Sequence, residues 1–158
     1  MHDRLPVEFA PIRREHTSAL AQLLVALDRM GDGQNFHPHP LDTLTADRIA
    51  NHVGADYYCV GFTAAGLVSY GMLRGWDEGY DVPSAGLAVH PDHRGQGLGR
   101  LTMLHLQPIA IARRAPSICL SVYPTNHAAR SLYQSLGYTL HEEPPTRLIG
   151  TLNLSAGH

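Results

Sequence analysis

Leu87-Ala88-Val89-His90-Pro91-Asp92-His93-Arg94-Gly95-Gln96-Gly97-Leu98-Gly99-Arg100 is the stretch whose reading decides the fold of this chain. It begins in an apolar strand over Ser84 to His90, closed by Pro91, which has no N–H to give a sheet. Three alternate glycines follow, and then helical apolar spacing over Arg100 to Arg114. A strand that turns through glycines into a helix gathers free N–H groups and partial positive charge at one point. Glycines let a ligand approach that backbone closely, so the turn reads as an anion cradle best suited to a pyrophosphate. A plain tight turn needs fewer glycines. A dinucleotide fingerprint does not fit. Gly95-x-Gly97-x-x-Arg100 and Gly97-x-Gly99-x-x-Thr102 both lack the third glycine, and Ser117 to Tyr123 offers no acid for a ribose.

Upstream, Val7 to Arg13 reads as a strand, and Thr17 can cap a helix over Ser18 to Met30 that repeats Leu20, Leu23, Leu24 and Leu27. Gly31 and Gly33 end that helix. Phe36-His37-Pro38-His39-Pro40 cannot be regular. A short helix fits Ala46 to Val53. Two β-rich runs, Tyr57 to Thr63 and Leu67 to Arg74, flank a three-residue turn, Ala64-Ala65-Gly66. Trp76 to Pro83 is a polar, aromatic loop. Downstream come a strand at Ser117 to Tyr123, a helix at Asn126 to Leu136 stopped by Gly137, and an antiparallel pair, Tyr138 to His141 with Leu148 to Leu154. The order βααβββαβαββ predicts a mixed α/β domain with some parallel pairing.

The 158 residues, 44% hydrophobic, fit a single domain over 1–158 that folds without staples. A net charge of −2 argues against nucleic acid as a partner. All 12 basic residues are arginine. Without lysine there is no Walker A loop and no lysine Schiff base. Cys59 and Cys119 alone make no disulfide scaffold, and read as small core residues. No apolar run reaches membrane-spanning length and the N-terminus lacks a signal h-region, so the expectation is a cytoplasmic protein with no membrane partner. His37-x-His39 falls short of the three or four ligands of a zinc site, so no metal is expected.

Arg94-x-x-Gly97-x-Gly99 after Val89-x-Pro91 resembles the acetyl-CoA signature of the GNAT family of N-acetyltransferases. About 30 residues on, Asn126-x-x-Ala129-x-x-x-Tyr133 with Leu136-Gly137-Tyr138 is similar to that family's second signature. The pair at this spacing says more than either motif alone, and the strand order matches over nearly the whole chain. The resemblance implies a mostly antiparallel sheet whose fourth and fifth strands, a parallel pair, splay around the pantetheine arm of acetyl-CoA. Leu87, Ala88 and Val89 would pair with that arm through their backbones, and the Leu87 N–H would stabilise the oxyanion. Arg94, Gly95, Gln96, Gly97, Leu98, Gly99 and Arg100 would wrap the pyrophosphate. Asn126 and Ala129 would meet the pantetheine. Tyr133, two helical turns after Asn126, would protonate the leaving thiolate.

One departure bears on the base. Many members of the family carry a glutamate just before the Leu-x-Val segment, where this chain reads Ser84-Ala85-Gly86. Candidates for the base are Asp77, Glu78, Asp81, His37 and His39, or the amine arrives neutral. The acceptor pocket would be shaped by Phe36, His37 and His39 on one side and by Trp76, Asp77, Glu78, Tyr80 and Asp81 on the other. Three acids beside two rings suit a cationic or sugar-like amine. The leading expectation is therefore transfer of acetyl from acetyl-CoA to the primary amine of a small molecule, such as an amino sugar, a polyamine or an amino-acid derivative. A silent CoA-binding sensor and a protein or peptide N-acetyltransferase stay open as alternatives, as do the monomer and the homodimer.

Overall fold

The computed structural model describes residues 6–31, 38–144 and 146–154. Strands β1 (Glu8–Pro11), β2 (Tyr57–Thr63), β3 (Gly66–Arg74), β4 (Ser84–Val89), β5 (Ser117–Val122), β6 (Thr139–Glu143) and β7 (Arg147–Asn153) alternate with helices α1 (Thr17–Arg29), α2 (Thr43–Ala50), α3 (Leu98–Ala112) and α4 (His127–Ser135). The strands form one sheet in the order β1-β2-β3-β4-β5-β7-β6. Every pairing is antiparallel except β4 with β5. The element order matches the sequence reading.

Local differences have local causes. Thr17 does not cap α1; His16 holds the cap position, and the Thr17 hydroxyl donates to the Arg14 carbonyl at 2.6 Å. Helix α2 begins earlier than the apolar spacing shows, because the Asp42 carboxylate accepts the Thr45 N–H at 2.8 Å and caps it. The hairpin between β2 and β3 turns on two residues, since Thr63 already pairs with Gly66. Gly97, at φ +80°, caps α3, so that helix starts two residues before Arg100.

Two cores cover the two faces of the sheet. On one, Leu20, Leu23, Leu24 and Leu27 of α1 pack on Tyr58, Tyr70 and Met72. On the other, Met103, Leu106 and Ala110 of α3 pack with Tyr133 on Cys59, Leu73, Ile118 and Leu120. Gly71 lets α3 lie close to the sheet, because a Cβ there would stand 2.8 Å from Thr102 Cγ2 and 3.0 Å from Cys59 Sγ. The buried Thr102 hydroxyl is satisfied by the Leu98 carbonyl at 2.7 Å and the Ser69 hydroxyl at 3.1 Å. No helix among the described residues is long and apolar enough to cross a membrane.

Truncating a fully buried α1 leucine removes packing that the sheet cannot refill. Leu24→Ala is expected to lower stability by about 3 kcal/mol, read as a fall in urea midpoint with an unchanged slope. A loss below about 1 kcal/mol would show that α1 is not integral to that core.

Candidate active site

Strands β4 and β5 share a single parallel register pair, Ser84 with Cys119, with the Cys119 N–H donating to the Pro83 carbonyl at 3.0 Å. Beyond it they part. On its other side β4 pairs regularly with β3 from Arg74↔Ser84 to Ser69↔Val89. The His90 N–H bonds the Val68 carbonyl at 2.8 Å, so even-numbered residues of β4 point their backbone groups at β3. The alternation turns the N–H and C=O of Leu87 and Val89 toward β5, where no strand meets them. A cavity of about 1140 Å³ fills this gap.

Leu87, Ala88, Val89, Arg94, Gly95, Gly97, Leu98, Gly99 and Arg100 all line the cavity. Gly95 and Gly97 take φ of +76° and +80°, a left-handed backbone that glycine adopts without strain. The first bond inside α3 runs from the Leu101 N–H to the Gly97 carbonyl, so the amides of Leu98, Gly99 and Arg100 have no partner inside the helix. Gly99 lets α4 in: a Cβ there would stand 3.2 Å from Leu132 Cδ2. Gln96 is exposed and does not line the cavity, since its turn carries the side chain outward.

Asn126, Ala129 and Tyr133 line the cavity from the α4 side. Asn126 Oδ1 caps α4 by accepting the Ala129 N–H at 3.3 Å, which leaves the amide Nδ2 as the donor it can offer a ligand. Tyr133 is 9% exposed, and burial pushes its phenol up to about 12. Its ring lies 5.9 Å from that of Tyr138, so packing fixes where the hydroxyl points.

The acceptor side differs most from the sequence reading. Phe36 and His37 lie outside the described residues, as do Gly33 and Asn35. Glu78 and Tyr80 line the cavity; Asp77, Asp81, Trp76 and His39 do not. Asp77 turns away to hold the chain that follows α2. Its Oδ2 meets His52 Nε2 at 2.7 Å, and its Oδ1 accepts the N–H groups of Ala55 at 2.6 Å and Asp56 at 3.2 Å. The His52 bond first, then the amides, draw the Asp77 pKa down to about 2. Trp76 carries the Arg113 guanidinium on its face at 4.5 Å, and both line a shallow depression with Asp81. The two ring nitrogens of His39 are both engaged, by the Pro40 carbonyl at 2.8 Å and the Tyr70 hydroxyl at 3.1 Å. Burial first of all lowers its pKa, and the two contacts commit the ring to the core side. Glu78 is thus the one carboxylate among the described residues of the cavity wall. Sequence reasoning missed Arg74, Tyr123 and Arg147, which also line it. None sits in a motif, and only the strand register brings them to the gap. No group of three or more metal-ligating side chains exists among the described residues.

The family model for the acetyltransferase (GNAT) family matches residues 20–138, and the chain belongs to that family. An acetyltransferase of Sodalis glossinidius is 33% identical over 96 residues; the match spans 61% of this chain and 66% of that relative, just short of two thirds of it. Solved structures share the fold, two of them over nearly the whole chain. One is yncA of Salmonella typhimurium with acetyl-CoA (TM-score 0.77, 19% identity, 95% of each chain). The other is the ribosomal-protein-S18-alanine N-acetyltransferase of Escherichia coli (TM-score 0.74, 20% identity, 97% of each chain).

Because folding lowers the Asp77 pKa, its contribution to stability is present above the unfolded carboxylate value near 3.9 and is lost as pH falls through about 2. The stability difference between wild type and Asp77→Asn is therefore expected to shrink steadily as pH falls below about 4. A difference that is constant down to pH 2 would show that Asp77 does not hold this loop through its charge.

Proposed function

We propose that this chain transfers an acetyl group from acetyl-CoA to the primary amine of a small molecule by direct attack, with no covalent enzyme intermediate. The observation that carries the reading is the divergence of β4 from β5. It offers the Leu87 and Val89 backbone to an extended ligand between the cradle of α3 and the Tyr133 phenol.

Acetyl-CoA fits the residues present. The pyrophosphate takes the helix amides and the guanidiniums of Arg94 and Arg100. The pantetheine amides pair with β4 as a missing strand would, and the thioester oxygen takes the Leu87 N–H. The amine nitrogen attacks the carbonyl carbon; the N–C bond forms and the oxygen becomes an oxyanion, which that N–H stabilises. One well-placed donor of this kind contributes roughly 3 kcal/mol. Collapse breaks the C–S bond, and the proton lost by nitrogen balances the one gained by sulfur. Tyr133, protonated at any working pH because burial raises it to about 12, gives the departing thiolate its hydrogen bond.

With Ser84 where many members of the family carry glutamate, Glu78 is the group left to draw in an ammonium, and the amine loses its proton to solvent before attack. The alternative of a silent sensor is separated from this one by thiol release from acetyl-CoA over a panel of amines.

Acetyl-CoA at a hundredfold excess over its Kd is expected to stabilise the fold by roughly 2.7 kcal/mol, read as a rise in Tm, and NAD is expected to do nothing. Gly97→Val should abolish the shift. Tyr133→Phe is expected to lower kcat about 100-fold with acetyl-CoA affinity kept, and a rate within about twofold of wild type would return the phenol to packing. Glu78→Gln should mainly raise the KM of the amine, with kcat still climbing toward the amine's own pKa. A collapse of kcat at unchanged KM would instead make Glu78 the base.

A further inference from the structure

We propose that the acceptor carries an anionic oxyacid group beside its amine, as a free amino acid does, and that Arg147 holds that group while Glu78 holds the amine end. This names the substrate class of the same site and rests on the acetyl-transfer reading above.

The charges of the cavity wall carry the proposal. The sequence points to three acids at the acceptor mouth and so to a cation. The folded chain turns two of the three elsewhere and brings in two guanidiniums instead. Arg74 lies at the end of β3 and donates to the Pro38 carbonyl, ahead of α2. Arg147 opens β7, beside the end of β5, where Val122 pairs with Leu148.

Both arginines belong to the acceptor side of the sheet. Successive side chains of a strand leave by opposite faces. Leu148 packs into the core under α3 and α4, so Arg147 leaves by the face that α1 covers. Leu73 packs under α3 and Met72 under α1, so Arg74 leaves by the α1 face too. The cradle for the donor phosphates opens α3, on the other face. The gap between β4 and β5 joins the two sides, and the donor phosphates and these two guanidiniums are not rivals for one place.

The exposed Arg147 side chain has no hydrogen-bond or ion-pair partner among the described residues; its cross-strand neighbour Glu143 makes no ion pair with it. The Glu78 carboxylate has no side-chain partner among them either. A planar guanidinium matches a carboxylate or phosphate in a forked pair. A diamine would set its second ammonium against Arg74 or Arg147, whereas a zwitterion satisfies both signs at once.

The test compares matched acceptors: an amino acid with its amide, and an aminoalkyl phosphate with a diamine of the same length. Thiol release gives kcat/KM. Thermal shift in saturating CoA gives acceptor binding without turnover. At least one acid should exceed its neutral or dicationic match about tenfold, as charge-assisted pairing requires; the two acid arms tell a carboxylate from a phosphate. Arg147→Gln should erase most of that preference and leave the KM for acetyl-CoA unchanged, and Arg147→Lys should restore part of it. The proposal is overturned by equal or better use of amides and diamines in both readouts, or by a rise in acetyl-CoA KM in Arg147→Gln with acceptor preference intact, which would give Arg147 to the donor. Failure of the acetyl-transfer reading looks different, because no acceptor, acidic, neutral or dicationic, then releases thiol from acetyl-CoA, whether or not CoA shifts the melting temperature.

Discussion

Everything in the site follows from one broken pairing. A strand in the middle of a sheet normally spends its backbone groups on two neighbours, and groups left unpaired inside a fold are costly. Strand β4 is fully paired with β3 but meets β5 only at Ser84 and Cys119. Its remaining outward groups, those of Leu87 and Val89, need a partner that no strand among the described residues supplies. An extended ligand with its own amides is the natural partner, and the same divergence makes the cavity that admits it.

The elements around the gap hold it open from independent anchors. Helix α3 is drawn against the sheet through Gly71 and Thr102, which fixes where its N-terminal amides point. Helix α4 nests on Gly99 through Leu132 and carries Tyr133 inward. The loop after β3 is fastened away from the cavity: Asp56 Oδ1 accepts the Gly75 and Asp77 N–H groups while Asp77 in turn holds His52, Ala55 and Asp56. Gly54 leaves room for this, since a Cβ there would stand 2.4 Å from Asp77 Oδ1. With Asp77 so engaged, the members of the loop that reach the cavity wall are Gly75, Glu78, Tyr80 and Val82.

That the glycine turn and the α4 residues would meet at one gap was legible in the sequence because their demands are local. A left-handed turn needs Gly95 and Gly97 whatever surrounds it, and Asn126 and Tyr133 stand on one helix at a fixed spacing. The same holds for the element order, which hydrophobic periodicity and proline placement set. The acceptor half was legible only in part, because its residues act at a distance in sequence. Nothing in Trp76-Asp77-Glu78 says that the middle acid answers to His52, 25 positions away. Arg147 faces the gap only because Leu148 is paired with Val122, and a register cannot be read from one strand. Helix ends slipped by two or three residues where a cap outside the apolar repeat, Asp42 or Gly97, decided them.

The most direct measurement is amide hydrogen exchange of Leu87 and Val89 by NMR, with and without saturating acetyl-CoA. Both N–H groups face the gap with no strand partner, so both should exchange readily in the free protein and become strongly protected when the ligand completes the pairing. Slow exchange at both in the free protein, or no gain in protection on binding while the α3 amides do gain it, would contradict the claim that the open edge of β4 is where acetyl-CoA docks.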